Sequence, residues 1–145
     1  MKNYRYAFTM VELVMVIVVI GILTAIALPK FAAMSEEAAI SKGRSDIASI
    51  RSGIITERQA RLIKGDPSYI SGTALNTGGL FAGILNYPIP ASTDSSHWND
   101  TATSDATNTY NYNINGTNVG FTYTRSTGIF DCTDSTATYC EELTK

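Results

Sequence analysis

The first third of the chain contains a long apolar run. From Phe8 to Leu28 there are 21 residues, and the polar ones among them are Thr9, Glu12 and Thr24. A helix rises about 1.5 Å per residue, so this run would span roughly 31 Å, which is the thickness of one bilayer core. The pattern predicts that residues 8–29 form the transmembrane half of a longer helix.

Beyond Pro29 the sequence returns to a helical period. Apolar residues recur every seven positions at Ala33, Ile40, Ile47 and Ile54, and the same face also holds Gly43 and Ile50. Charged residues occupy the other faces, which predicts an amphipathic helix that ends at about residue 64. Proline removes one backbone donor and crowds the preceding turn, so we expect a kink at Pro29.

The last third of the chain alternates between apolar and polar residues. Asn115-Gly116 is a strong hairpin signal, and it would pair Ile114 with Thr117, Tyr112 with Val119 and Tyr110 with Phe121. A four-residue turn at 125–128 would then place Phe130 opposite Tyr123 and Cys132 opposite Phe121. The sequence therefore predicts a three-stranded antiparallel meander over residues 109–132, with one apolar face for the helical stripe Ala33/Ile40/Ile47/Ile54.

Residues 65–108 have no clear period. Pro88 and Pro90 exclude a regular central strand, and residues 91–109 are rich in Ser, Thr, Asn and Asp. We expect a loop with one short helical turn near residues 80–85 and with Trp98 as its anchor in the core. The prediction is one modest α+β domain, residues 30–145, in which the long helix packs on a small antiparallel sheet.

Glu12 is the anomaly of the apolar run. A carboxylate in the bilayer core costs on the order of 3 kcal/mol, and residues 8–28 contain no basic side chain to pair with it. A free amino group at Phe8 would be a suitable partner. The chain has a short basic segment, the small residue Ala7, then Phe8 and Thr9, with Glu12 fifth after Ala7.

This order of features resembles the prepilin signal of type IV pilins and type II secretion pseudopilins. That family commonly carries a Gly and a Pro at the fourteenth and twenty-second positions after the cut, where this chain has Gly21 and Pro29. One departure is Ala7, because the family usually has Gly before the cut. Alanine is small enough to fit there.

The resemblance implies a filament subunit with a pilin-like fold. Residues 1–7 would be a leader that a prepilin peptidase removes by cutting between Ala7 and Phe8, and the new amine of Phe8 would be methylated. Glu12, Gly21 and Pro29 would serve assembly into a filament of identical subunits. Before assembly, the chain would cross the lipid of the bacterial inner membrane once, with its C-terminal domain in the periplasm, and an assembly platform would be its further partner.

The leading functional prediction is a structural subunit of a type IV pilus. The alternative is a type II secretion pseudopilin that acts in protein export, and a third class is a membrane-anchored binding protein that does not polymerise. Two other interpretations of the N-terminus also stay open: a secretory signal cleaved at Ala25-Ile26-Ala27, and an uncleaved anchor. Both leave Glu12 without a partner.

Cys132 and Cys140 are the two cysteines of the chain and are separated by seven residues. A disulfide between them would fit an oxidising periplasm or exterior, and a disulfide-closed C-terminal loop is also what the resemblance to pilins implies. Two free thiols are the alternative. A metal site would need more ligands than two cysteines and the distant His97.

No motif indicates catalysis, so we expect a structural protein without a cofactor rather than an enzyme. His97 lies in a polar stretch, and an exposed loop histidine is favoured there over a general base. Asp94, Asp100 and Asp105 could supply oxygen ligands to calcium in the 94–105 loop. Their spacing matches no standard calcium loop, so a solvated loop is favoured over a metal site.

The charge balance argues against a general nucleic-acid binder. The chain has a net charge of −2, and removal of Lys2 and Arg5 leaves 9 basic and 13 acidic side chains. Arg44, Arg51 and Arg58 form a basic stripe at heptad spacing. DNA capture is one hypothesis for the stripe, but solvation or pairing with carboxylates of neighbouring subunits is favoured.

Overall fold

A computed structural model of the chain describes residues 8–145, so the predicted leader at residues 1–7 lies outside the described residues. The chain divides into two compact units, of which the first ends at Ser35 and the second is Glu36–Lys145. In chain order the elements are α1 (Met10–Ile63), α2 (Gly72–Leu75), β1 (Trp98–Thr103), β2 (Thr107–Ile114), β3 (Thr117–Thr124), β4 (Ile129–Cys132) and α3 (Cys140–Thr144).

Helix α1 continues through Pro29, as the helical period on both sides of that residue predicts. In the second unit its buried residues are Ala39, Gly43, Ile47, Ile50 and Ile54. Of the predicted stripe, Ile47 and Ile54 are buried and Ile40 is half-buried against the core, whereas Ala33 lies in the first unit and is exposed. At about 100° per residue the buried face is centred on Gly43, which brings Ala39 inward and leaves Ile40 at the margin.

Four antiparallel strands form one sheet in the order β1-β2-β3-β4. The predicted register is confirmed for β2, β3 and β4 by the pairs Ile114 with Thr117, Tyr112 with Val119, Tyr110 with Phe121, Tyr123 with Phe130 and Phe121 with Cys132. Asn115 and Gly116 have φ of 48° and 90°, the positive values that a two-residue type I′ hairpin turn requires. The turn residues thus fix which side chains face the core.

Strand β1 corrects the prediction of a loop over residues 65–108. Residues 98–103 pair with β2, and Trp98 stands opposite Tyr112 at the start of the ladder. Trp98 is the buried residue of this strand, whereas the four from Asp100 onward are exposed, so no apolar alternation marks the strand in the sequence. The sheet consequently has four strands, and β2 begins at Thr107 rather than at residue 109.

The connection between α1 and β1 also differs from the prediction. Its short helix, α2, lies at Gly72–Leu75, whereas residues 81–84 form turns. Phe81 has a φ of 60° and is fully buried, which carries its ring into the core. The helical turn predicted near residues 80–85 is therefore misplaced, because the apolar residues there serve as anchors of a turn.

Aromatic side chains dominate the core of the second unit. Trp98 packs on Tyr112 at a centroid separation of 4.8 Å and on Phe121 at 5.2 Å, and Phe81 packs on Tyr110 at 4.6 Å. The prediction that Trp98 anchors its segment is confirmed, since its side chain is fully buried. Its indole Nε1 donates to Asp46 Oδ2 at 3.0 Å. Burial raises the pKa of Asp46, and the indole donor opposes that shift.

The buried tyrosines link the sheet to its surroundings through their hydroxyl groups. Tyr112 donates to the Ala39 carbonyl of α1 at 2.7 Å, and Tyr123 donates to the Ile70 carbonyl at 2.8 Å. Burial raises the pKa of each of these tyrosines to about 12, so both hydroxyls stay protonated donors at neutral pH. The sheet is therefore held to α1 and to the following loop by satisfied polar contacts inside an aromatic core.

Asn108 is a buried polar residue that the sequence pattern assigned to a surface loop. Its amide donates to the Gly72 carbonyl at 2.7 Å and to Tyr110 Oη at 2.9 Å, and its Oδ1 accepts from the Ser104 amide at 3.0 Å. Three segments of the unit thus meet on one side chain whose hydrogen-bonding groups are satisfied. An added Cβ at Gly72 would lie 2.3 Å from this Oδ1, which accounts for glycine there.

A disulfide joins Cys132 at the end of β4 to Cys140 at the start of α3, with their Cα atoms 6.1 Å apart. Leu143 of α3 is buried, and the Glu142 carbonyl accepts a hydrogen bond from Arg44 Nε of α1. The C-terminal segment is therefore bonded covalently to the sheet and packs on the helix. This pairing confirms the predicted disulfide.

We predict that Gly43→Ala destabilises the second unit. An added Cβ would lie 2.6 Å from Leu143 Cδ2 and 2.7 Å from Tyr112 Cε1, and the hydrogen bond of Tyr112 to Ala39 holds its ring in place. Overpacking of this kind lowers the free energy of unfolding by about 1 to 3 kcal/mol. Denaturant unfolding measures the loss. The control Ser49→Ala, at an exposed position on the same helix, should change little, and equal stability of the two variants would contradict the packing described here.

We also predict that replacing both Cys132 and Cys140 by Ser lowers the stability of the second unit by about 2 to 4 kcal/mol, because the closed loop limits the unfolded chain. Thermal unfolding under oxidising conditions measures the effect, and reduction of the unmodified chain should reproduce it. Melting that is unchanged by reduction would mean that the two thiols are not paired in the native protein.

Candidate assembly site

The apolar half of α1 leaves its large side chains uncovered. All large apolar residues from Phe8 to Leu28 are exposed, with relative exposures between 47% at Val16 and 85% at Met10. Among residues 8–145, α1 is the helix long and apolar enough to cross a membrane, and the mean hydropathy of its most apolar window is 2.8. Such a surface is stable only in lipid or against an equally apolar partner.

The start of α1 is fixed by Thr9. Its hydroxyl accepts from the Glu12 amide at 3.2 Å, and its carbonyl accepts from the Leu13 amide at 3.2 Å. Thr-x-x-Glu is the spacing of a capping box, in which a hydroxyl satisfies one of the orphan amides of the first turn. The sequence interpretation treated Glu12 only as a charge and missed this role of Thr9, although the spacing itself was visible.

The Glu12 carboxylate lies in the first turn of α1, where the helix dipole favours an acidic group. Across the part of the chain that the structure describes, no basic side chain forms an ion pair with it. Phe8 is four residues before Glu12, lies just outside α1 and is exposed. Ala7, the other residue of the predicted cleavage site, falls among the residues that are not described.

Gly21 and Pro29 lie on the same helix, in its exposed half. No atom of the described residues outside the local helix lies within 4 Å of an added Cβ at Gly21, so no contact among residues 8–145 accounts for this glycine. Pro29 is inside α1 and has no amide hydrogen, which leaves the Ala25 carbonyl without its helical donor. Both residues weaken this stretch of helix, and the kink at Pro29 stays a prediction.

The basic stripe on α1 contacts its own domain. Arg44 Nε donates to the Glu142 carbonyl, Arg51 Nε donates to the Phe130 carbonyl at 3.0 Å, and Arg58 Nη1 donates to Tyr69 Oη. Arg51 also pairs with Asp131 at 3.1 Å. Arg51 and Arg58 are half-buried, so the prediction of plain solvation is wrong for these two, whereas Arg44 is exposed. Pairing of the stripe with neighbouring subunits stays a prediction.

The carboxylates of the polar segment 94–105 do not converge on one site. Asp94 accepts from the Ser92 hydroxyl at 2.8 Å, whereas Asp105 pairs with Arg125. In the described range, no group of three or more His, Cys, Asp or Glu side chains is placed to hold a metal ion. The calcium site stays a prediction. His97 is half-buried, and its Nδ1 lies 2.9 Å from the Ser95 carbonyl.

Comparison with known proteins identifies the N-terminal segment. The prokaryotic N-terminal methylation motif matches residues 2–28, which is less than a fifth of the chain and includes the apolar run. No curated protein and no solved structure gives a significant match. The motif indicates a structural subunit rather than an enzyme, implies processing by a prepilin peptidase and assembly into filaments, and fits a membrane-anchored protein. The α+β fold has a pilin-like arrangement. The chain therefore carries the prepilin leader signature of type IV pilins and pseudopilins.

Proposed function

We propose that this protein is a structural subunit of a type IV pilus-like filament. The observation that carries the proposal is the exposed apolar surface from Phe8 to Leu28, which lies within the segment that the methylation motif matches. Before assembly this helix half crosses the bacterial inner membrane once, with the second unit in the periplasm. A prepilin peptidase cuts between Ala7 and Phe8, and the amine of Phe8 is then methylated and stays charged.

Assembly transfers the apolar helix half from lipid into a bundle of the same segments from other copies. Hydrocarbon tails are as apolar as Leu or Val, so the segment leaves the membrane only for a setting that is equally apolar. An inner-membrane assembly platform supplies the work of extraction. Because Gly21 and Pro29 weaken the helix between them, we propose that this stretch loses helical order as the subunits pack.

Glu12 sets the register between neighbouring subunits. A carboxylate in an apolar setting costs on the order of 3 kcal/mol, and the methylated amine of Phe8 on a neighbour, offset by one subunit rise, can neutralise it. An unpaired charge buried in the bundle costs more than a pair, so wrongly placed subunits are rejected. This mechanism needs no cofactor and no nucleic acid.

We expect Glu12→Gln to leave cleavage intact and to abolish efficient filament growth. Glutamine keeps the length and shape of the side chain and fits the capping-box position as well, so the variant removes the charge of Glu12 with little other change. Electron microscopy of sheared surface material counts the filaments, and the electrophoretic mobility of the processed chain reports cleavage.

Glu37→Gln is the matched control, because Glu37 is an exposed glutamate on the same helix beyond the apolar half. It should assemble as the unmodified chain does. Normal filaments from Glu12→Gln would refute pairing by charge, whereas uncut precursor would show that the substitution acts on processing instead.

The Cys132–Cys140 disulfide favours a pilus over the short pseudopilus of type II secretion, whose subunits more often lack a terminal disulfide. We therefore predict that the protein is recovered in long sheared filaments from the cell surface. Fractionation of sheared material and envelope, followed by detection of the chain in each, tests the choice. Protein confined to the envelope, together with a defect in export when the protein is absent, would favour the pseudopilin instead.

A further inference from the structure

A cavity of about 420 Å³ opens in the second unit, near the C-terminal end of α1. Its walls come from α1, from the loop that follows it, and from the two turns at one end of the sheet. Two of its lining side chains are arginines, Arg58 of α1 and Arg125 of the turn between β3 and β4. Tyr69 and Asp105 also line it. Two cations from separate elements therefore face one space.

Arg58 is held in position by Tyr69. Its Nη1 donates to Tyr69 Oη, and its guanidinium carbon lies 4.1 Å from the centroid of the tyrosine ring. The ring in turn is fixed against Gly128, where an added Cβ would lie 2.1 Å from Tyr69 Cε1. Over the described residues, Nη2 of Arg58 makes no hydrogen bond and its buried Nε has no partner. The guanidinium is thus oriented in advance, with donor capacity that the protein does not use.

Arg125 is the second cation at the cavity. Its Nη1 pairs with Asp105, whereas neither its Nε nor its Nη2 donates to another group in the described part of the chain. Two guanidinium groups and one carboxylate leave the cavity with a net positive charge in a chain whose formal net charge is −2. A positive cavity on an acidic protein concentrates anions locally.

We propose that this cavity binds a small ligand that presents a carboxylate or phosphate group. Guanidinium donors suit planar and tetrahedral oxyanions, and the volume falls near the lower end of the range for small-molecule sites, roughly 300 to 1,000 Å³. A single sugar acid or sugar phosphate matches that size. The lining residues all lie in the second unit, outside the exposed apolar half of α1.

The test uses the full chain in detergent micelles, with the arginine Nε–H signals followed by NMR at constant ionic strength. Inorganic phosphate and glucuronate are the two probes, and glucose is the uncharged control. At least one of the two anions should shift the signals saturably, and which of them does so distinguishes a phosphate site from a carboxylate site.

Arg125→Ala removes one cation from a half-exposed position and should weaken binding roughly tenfold or more. Arg51→Ala is the matched control, since Arg51 lies on the same face of α1 but donates to β4, outside the cavity, and it should bind as the unmodified chain does. Arg58→Lys keeps the charge but loses the planar donor group, and it should bind more weakly. The absence of saturable binding of both anions, or equal affinity in the Arg125→Ala variant, would overturn the proposal.

Discussion

The constraint on which the protein depends is that one acidic side chain stands within an apolar helical surface that nothing in the described subunit covers. Apolar side chains around Glu12 can be satisfied by lipid, but its carboxylate cannot. The Thr9 hydroxyl caps the backbone amide of Glu12, but this bond does not involve the carboxylate and does not neutralise its charge. Under the proposed function, a positive amine created by proteolysis at Phe8 and presented by another copy would neutralise the charge, and the apolar helices of the copies would cover one another.

The second unit is built on the amphipathic half of the same helix, which packs against the sheet. Tyr112 and Leu143 pack at Gly43, so the sheet and the C-terminal helix approach α1 at a residue without a side chain. Arginines along the helix then bind carbonyls of the sheet and of α3, and the disulfide ties those two elements together. These contacts stabilise the domain without using the exposed apolar residues from Phe8 to Leu28.

The features that could be predicted are those whose signal lies in residues close together in the sequence. The register around Tyr112 followed from the Asn115-Gly116 turn, because a two-residue hairpin leaves one pairing that puts the apolar residues on one face. Strand β1 could not be predicted, since only Trp98 of that strand is buried and its pairing comes from the free edge of β2. The contacts of Arg44 and Arg51 were hidden for a related reason: their acceptors are distant backbone carbonyls, which have no sequence signature.

For the N-terminal apolar segment, the spacing of Phe8 and Glu12 was enough to indicate the motif, whereas the capping role of Thr9 was overlooked.

The most direct measurement of the central claim is intact-mass and N-terminal analysis of the chain isolated from its native envelope. The account predicts a chain that lacks residues 1–7 and begins at Phe8 with a methyl group on its nitrogen. A native chain that begins at Met1, or at Leu28 after cleavage as a secretory signal, would have no amine at Phe8 for Glu12 of a neighbour and would contradict the proposed pairing.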